Sequence, residues 1–229
     1  MAAHTKIIDM FGLPACGKTT LTNCFGEMQN MGIKVITMNS LIEEARRNKL
    51  KLLLSFSFKL CVASIKVHRA IPNKRCNGST LSRFYLIKHS LYYTYGKRFS
   101  KYDCIFVDHG DIQSFVSMER GEHLHMNRDF RRACSRYIDV SPTTLYVYCN
   151  ITPELSLSRM VNRNIRQGRI EKMEDNEMRL KELEREKERF DFFADMLREK
   201  NCHMQVLDMS RTKVDIANEL QITIDTLVN

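Results

Sequence analysis

Five short apolar runs divide the chain: Lys6–Phe11 (KIIDMF), 32–38 (GIKVITM), 102–107 (YDCIFV), 144–149 (TLYVYC) and 203–207 (HMQVL). Each is five to seven residues long, rich in β-branched, aromatic or other apolar residues, and most are bounded by turn-forming residues. That is the signature of short buried strands. Between them the apolar positions recur at helical spacing. Leu21, Cys24, Phe25 and Met28 lie on one face of 19–28. The stretch from 40 to about 95 reads as mostly helical, interrupted at 71–80 (IPNKRCNGST), so it predicts two helical segments around a loop. A further helix opens at Thr152, with Thr152 as N-cap, Pro153 at the first helical position and Glu154 complementing the positive helix end. Residues 171–200 predict one long helix with a narrow buried seam (Leu180, Leu183, Phe190, Phe193, Leu197) and a charged, solvated face. Residues 214–227 close the chain as an amphipathic helix.

Strands alternating with helices predict an α/β fold, a five-stranded parallel sheet covered by helices on both faces. Length and composition agree. The 229 residues suit one large domain, and a hydrophobic fraction of 43% can fill a core. Residues 40–101 then form a helical insertion between strands two and three. Its apolar runs LKLLLSFSF and KLCVASI predict buried positions. No run approaches the roughly 18 residues that span a bilayer, and the first residues lack the pattern of a secretory signal. The eight cysteines include no C-x-x-C pair and several fall inside strand-like runs. They predict buried thiols in a reducing, cytoplasmic environment.

The sharpest chemical signal follows strand one. GLPACGKT at 12–19 matches G-x-x-x-x-G-K-[ST] and sits between a strand and a helix, the context in which that pattern cradles phosphate. Gly12 and Gly17 permit backbone geometry that a Cβ obstructs. The N–H groups of Pro14's successors Ala15, Cys16 and Gly17, and of Lys18, Thr19 and Thr20, can then converge on phosphate oxygens, aided by the positive helix end. Lys18 reaches the terminal phosphates, and the Thr19 hydroxyl is placed to ligate Mg²⁺.

Two more groups change this from a binding loop into a candidate catalyst. Strand three ends in IFVDHGDIQ, and an Asp at the C-terminal end of a strand lies on the ligand side of such a sheet. Asp108 is the candidate for Mg²⁺ or an acceptor hydroxyl. Asp111 is a second candidate, and also a natural turn or helix cap. Asp9, inside strand one, suggests a polar crevice. Arg159, Arg163, Arg166 and Arg169 fall within SRMVNRNIRQGR, and Gly168 gives that segment a flexible tip. Such arginines can close over transferring phosphates. Charge is also unevenly placed: 36 Lys and Arg against 27 Asp and Glu overall, yet 14 basic and no acidic residues between 45 and 102. That stretch attracts anions: a phosphorylated metabolite, nucleic acid or an anionic membrane.

The combination resembles the P-loop nucleoside and nucleotide kinases, thymidylate and deoxynucleoside kinases above all. The resemblance rests on GLPACGKTT, DHGDIQ, ITPELSLSRMVNR, RIEKMED and the closing LDMSRTKVDIANEL. It implies a three-layer P-loop NTPase fold with a lid at about 159–173. It also implies ATP and Mg²⁺ as cofactors and γ-phosphoryl transfer to a small acceptor, a nucleoside or nucleotide, with a homodimer left open. On that reading Lys18, Asp108, Arg163, Arg166 and Arg169 are catalytic, Thr19 and Asp108 hold the metal, and the phosphate loop with Arg159 and Arg163 binds the nucleotide. Glu43, Arg83, Tyr92 and Asp111 are candidate acceptor contacts. The segment near 210–212 would lie against adenine. The chain departs from thymidylate kinases at Pro14, where those usually carry Asp, and at His109, where they carry Glu. Residues 45–101 contain no acid for a substrate motif. Alternatives are a toxin-like or antibiotic- or sugar-modifying phosphotransferase, and an ATP-binding module whose basic insertion binds nucleic acid or anionic membrane. Nucleic acid is disfavoured by the apolar runs and by the lack of a recognised nucleic-acid fold.

Overall fold

The computed structural model describes residues 5–27, 33–71, 79–118, 127–163 and 168–228, with the side chains of 26, 27 and 79–85 outside the description. Five strands form one parallel sheet: β1 (Lys6–Phe11), β2 (Val35–Thr37), β3 (Cys104–Val107), β4 (Leu145–Asn150) and β5 (Met204–Asp208), in the spatial order β2-β3-β1-β4-β5. The expected α/β fold, a five-stranded parallel sheet with helices on both faces, is therefore present. β1 lies at the centre, with Asp9 beside Val107 of β3 and Phe11 beside Tyr148 of β4. The segments leaving β1, β3 and β4 consequently emerge together at the carboxyl edge, where the strand order reverses.

Among the described residues the helices are α1 (Lys18–Glu27), α2 (Met38–Arg47), α3 (Lys49–Leu54), α4 (Phe58–Arg69), α5 (Ser79–Phe99), α6 (Asp111–Met118), α7 (Arg128–Val140), α8 (Pro153–Val161), α9 (Asn176–Glu199) and α10 (Lys213–Val228). Local chemistry sets several of their starts. Thr37 ends β2 and caps α2, its hydroxyl accepting from the Ser40 N–H, so the strand is shorter than the apolar run predicts. Thr152 caps α8 through the Leu155 N–H, with Pro153 at its first position. Asn127 caps α7, accepting from Asp129 and Phe130 N–H. The helices α6 and α7 fill a stretch that the predicted elements leave unassigned. The signal for α7 was present in Phe130, Ala133, Cys134, Tyr137 and Ile138, all buried and spaced for one helix face.

Two predictions about burial are corrected. LKLLLSFSF is not core: Leu50, Leu53 and Phe58 are each more than 70% exposed. Of the first run Leu52 and Ser55 turn inward, whereas the second packs through Leu60, Ala63 and Ser64 of α4. The long charged helix also begins later than predicted, at Asn176 after a single 3-10 turn at Ile170–Lys172, and its charge is not all solvated. Arg179, Glu182 and Arg189 are buried.

The sheet's two faces separate two apolar clusters. Ile7, Ile105 and Val107 pack with Leu41, Ile42 and Ala45 of α2 and with Tyr92, Tyr93 and Tyr95 of α5. Ile8, Met10, Cys104 and Phe106 belong to the larger cluster, in which Phe106 stacks on Phe25 of α1 at 5.0 Å between ring centroids. Phe11 stacks on Tyr148 at 4.9 Å.

A polar seam runs beneath this surface. Asp9 is fully buried, and its carboxylate accepts the Asp111 N–H at 2.7 Å. Asp111, equally buried, accepts from the Tyr137 hydroxyl at 3.0 Å and the Ser141 hydroxyl at 2.8 Å. Gly110 is required by this approach, because a Cβ there would lie 2.0 Å from Asp9 Oδ1. Burial, and then the charge of Asp111, push Asp9 well above the usual carboxylate range. Burial also raises Asp111, to about 6, against the lowering effect of its two hydroxyl donors. Both acids hold a proton more tightly folded than unfolded. The stability they contribute is therefore full below the ordinary carboxylate value of about 4 and declines as pH rises through 6. Asp9→Asn keeps an acceptor for the Asp111 N–H and removes one of the two charges. In urea titrations its stability relative to the wild type should rise steadily between about pH 4 and pH 7. Parallel stability curves would show that the pair does not titrate as a buried unit.

Candidate functional site

The loop between β1 and α1 has a backbone that only particular residues permit. Gly12 has φ 146°, and a Cβ there would sit 2.4 Å from the Cys149 carbonyl oxygen on β4. Gly17 has φ 109°, and Ala15 adopts the left-handed region at φ 56°. Left-handed and right-handed residues in succession turn backbone N–H groups inward, forming a concavity for anions at the start of α1. Lys18 spans it: its ammonium donates to the carbonyls of Gly12 at 2.8 Å and Leu13 at 3.1 Å. Cys16 is buried beneath the loop. Its contact with the Cys149 thiol and the charge of Lys18 hold its own thiol below the usual range, against burial.

Because β3 is paired beside β1, the residues that follow both strands meet. The Thr19 hydroxyl donates to Asp108 Oδ2 at 3.4 Å, across 89 positions of sequence. Gln113 on α6 accepts the Gly12 N–H at 3.4 Å. His109 is exposed beside them.

From the other side, α8 grips the loop. The buried Ser156 hydroxyl donates to the Pro14 carbonyl at 2.7 Å. Arg159 donates to the Cys16 carbonyl at 3.3 Å and to the Met209 carbonyl, just past β5, at 2.8 Å. Three structural elements are thus joined through one guanidinium.

Beyond α8 the arginines meet acids. Arg163 lies 3.5 Å from Glu171, whose other oxygen accepts the Gly168 N–H at 2.7 Å. Arg169 pairs with Glu182 at 2.6 Å and Glu186 at 3.5 Å. Arg189 approaches Glu182 at 3.8 Å, and Arg185 at 3.4 Å. Burial raises Glu182, but the hydrogen bond and charge of Arg169, with Arg189 and Arg185, outweigh it and hold that carboxyl below its usual value. Burial keeps Glu186 above its usual value despite Arg169.

Two adjoining cavities result. One of about 420 Å³ is lined by Pro14, Ala15, Lys18, Thr19, Asp108, Arg163 and Arg169 together with His109, Gln113, Glu171, Glu186 and Arg189. The other, of about 290 Å³, is lined by Ala15, Cys16, Gly17, Thr20, Arg159 and Arg163 with Met209, Arg211 and Lys213. The predicted loop residues, Asp108 and the described arginines therefore converge. Three of the predicted acceptor contacts do not join them. Asp111 is enclosed by Tyr137 and Ser141, Tyr92 is buried in the cluster under α2 and α5, and Glu43 is exposed on α2. Arg166 and the side chain of Arg83 lie outside the described residues. Gln113, Ser156, Glu182, Glu186 and Arg189 were not among the candidate residues. Ser156 had a local signal, three positions before Arg159 on the same helix face. Glu182, Glu186 and Arg189 had none, since they sit in a helix dense with similar charges.

No family model matches the chain, and no curated protein matches it in sequence. Its fold does match a solved structure, a deoxyadenosine kinase from M. mycoides with the products dCMP and dCDP bound. The identity is 13% and the TM-score 0.54, over 96% of this chain and 99% of that one. At that identity the likeness is one of fold.

Ser156→Ala leaves the Pro14 carbonyl without its donor. It should lower stability by about 1 kcal/mol, read as a lower urea midpoint with an unchanged slope. An unchanged midpoint would mean that α8 does not brace the loop through this hydroxyl.

Proposed function

We propose that the protein is an ATP-dependent phosphotransferase that moves the γ-phosphoryl group to a small acceptor, a nucleoside or nucleotide. The observation that carries this reading is the approach of Thr19 to Asp108 beside Lys18, inside a cavity that continues to Arg163 and Arg169. A protein that only held a nucleotide would have little use for a carboxylate facing the loop's hydroxyl, or for arginines arrayed along the far wall. The fold of the deoxyadenosine kinase supports the same class of chemistry.

In this reading the backbone N–H groups of 15–20 and the Lys18 ammonium bind the β- and γ-phosphates. The smaller cavity, between Arg159 and the segment at 209–213, takes the nucleotide base. Thr19 and Asp108 present two oxygens side by side, a donor set that would suit Mg²⁺. That ion would neutralise charge on the phosphates. Arg163 and Arg169 face the transferring group and offset its negative charge. Asp108 also orients or deprotonates the acceptor hydroxyl. The acceptor end is lined by Gln113, Ser117 and Val116, and Arg189 beside it approaches Glu182. A neutral nucleoside, offered hydrogen bonds by Gln113, suits that end better than a second phosphate. This favours a deoxynucleoside kinase-like activity over a thymidylate kinase-like one.

Purified protein incubated with ATP and Mg²⁺ should consume ATP faster when at least one member of a nucleoside and nucleotide panel is added. Lys18→Ala and Asp108→Asn should each lower that acceptor-dependent rate by about a hundredfold or more. Intact ATP binding with no stimulation by any phosphorylatable small molecule would overturn the reading.

A further inference from the structure

Among the described residues, twelve large apolar side chains are exposed, and six of them fall between positions 50 and 65. Leu50, Leu53 and Leu54 come from α3, Phe56 from the following turn, and Phe58 and Ile65 from α4. Buried residues are absent from α3 altogether. Frayed chain is a poor explanation, because the segment is tied down. Arg98 donates to the Leu54 carbonyl at 2.9 Å, the Ser55 hydroxyl donates to the Lys51 carbonyl at 2.7 Å, and the Lys51 ammonium sits 5.9 Å over the Phe99 ring. Leu52, on the opposite side, packs against the cluster under α2 and α5. The fold thus holds α3 firmly while turning its leucines outward. Exposed apolar side chains gathered on one short, tethered segment mark an interaction site.

The surrounding charge selects the partner. Arg46, Arg47, Lys49, Lys51, Lys59 and Lys66 are exposed around these side chains, and no acid occurs anywhere from 45 to 102. A second copy seated on this face through a twofold axis would set cation against cation. Nucleic acid would satisfy the cations but leave aliphatic side chains against phosphate. An anionic lipid surface satisfies both, since phosphate headgroups meet the lysines and the acyl boundary receives leucine and phenylalanine. We propose that the face formed by α3, the turn at 55–57 and the exposed side of α4 docks the protein on anionic lipid. None of the six exposed apolar residues lines either cavity. The proposal does not rest on the phosphotransferase reading.

Co-sedimentation of the full chain with vesicles tests this. Binding is expected to vesicles containing about 30% phosphatidylserine and not to vesicles of phosphatidylcholine alone. It should weaken as NaCl rises from about 0.1 M to 0.5 M. Leu53→Glu/Phe58→Glu should weaken vesicle affinity at least about tenfold without lowering Tm, because both side chains are exposed. Lys49→Glu/Lys59→Glu should remove the preference for anionic lipid. Absence of vesicle binding, or equal binding to neutral vesicles, overturns the proposal. So does a dimer in sedimentation equilibrium that Leu53→Glu/Phe58→Glu dissociates, which would assign the face to a second copy. Binding to single-stranded oligonucleotide in place of vesicles would overturn it as well.

Discussion

A Cβ at position 12 would lie 2.4 Å from the carbonyl oxygen of Cys149, so β1 can leave the sheet beside β4 only through glycine. Much of the candidate site follows from that close approach. It seats the loop low against β4, where Ser156 and Arg159 of α8 can reach the Pro14 and Cys16 carbonyls. It starts α1 at Lys18, with the helix's free N–H groups and the lysine turned to the same concavity. The same arrangement buries Cys16 against Cys149 beneath the loop. Loop, α1 and α8 are consequently one braced assembly.

The carboxyl edge of the sheet then collects charge of both signs, and the fold keeps the two kinds apart. Asp9 and Asp111 sit under the surface, where burial raises their proton affinity, a backbone N–H reaches one oxygen of Asp9, and two hydroxyls donate to Asp111. Asp108, one strand-end residue away, stays in the cavity beside Thr19. On the opposite wall Glu182 gathers Arg169, Arg185 and Arg189. A buried acid surrounded by guanidinium groups is better explained as a positioning device than as a source of net stability, because desolvation consumes most of the attraction. Its consequence is that Arg169 is held over the cavity by a partner on α9.

The insertion between β2 and β3 divides its apolar residues between two tasks. α2, α5 and the inner side of α4 turn theirs toward the sheet and toward α7, whereas α3 and the outer side of α4 turn Leu50, Leu53, Leu54, Phe58 and Ile65 to the surface. Arg46, Arg47, Lys49, Lys51, Lys59 and Lys66 are exposed and line neither cavity.

The sequence by itself determined what depends on local backbone and spacing. The five strands, the glycines at 12 and 17, the cap at Thr152, and Lys18 and Thr19 at the start of a helix are all encoded within a few residues. Asp108 could be placed by its position at a strand end. Tertiary structure decided the rest, because it depends on pairs far apart in the chain. Only the parallel pairing of β1 and β3 brings Thr19 to Asp108. Only the packing of α8 against the loop finds acceptors for Ser156 and Arg159. Glu182 and Arg189 are indistinguishable in sequence from their solvated neighbours until α9 docks. LKLLLSFSF reads as core because periodicity reports that residues are apolar, whereas the direction they face is set by what already occupies the space beneath them.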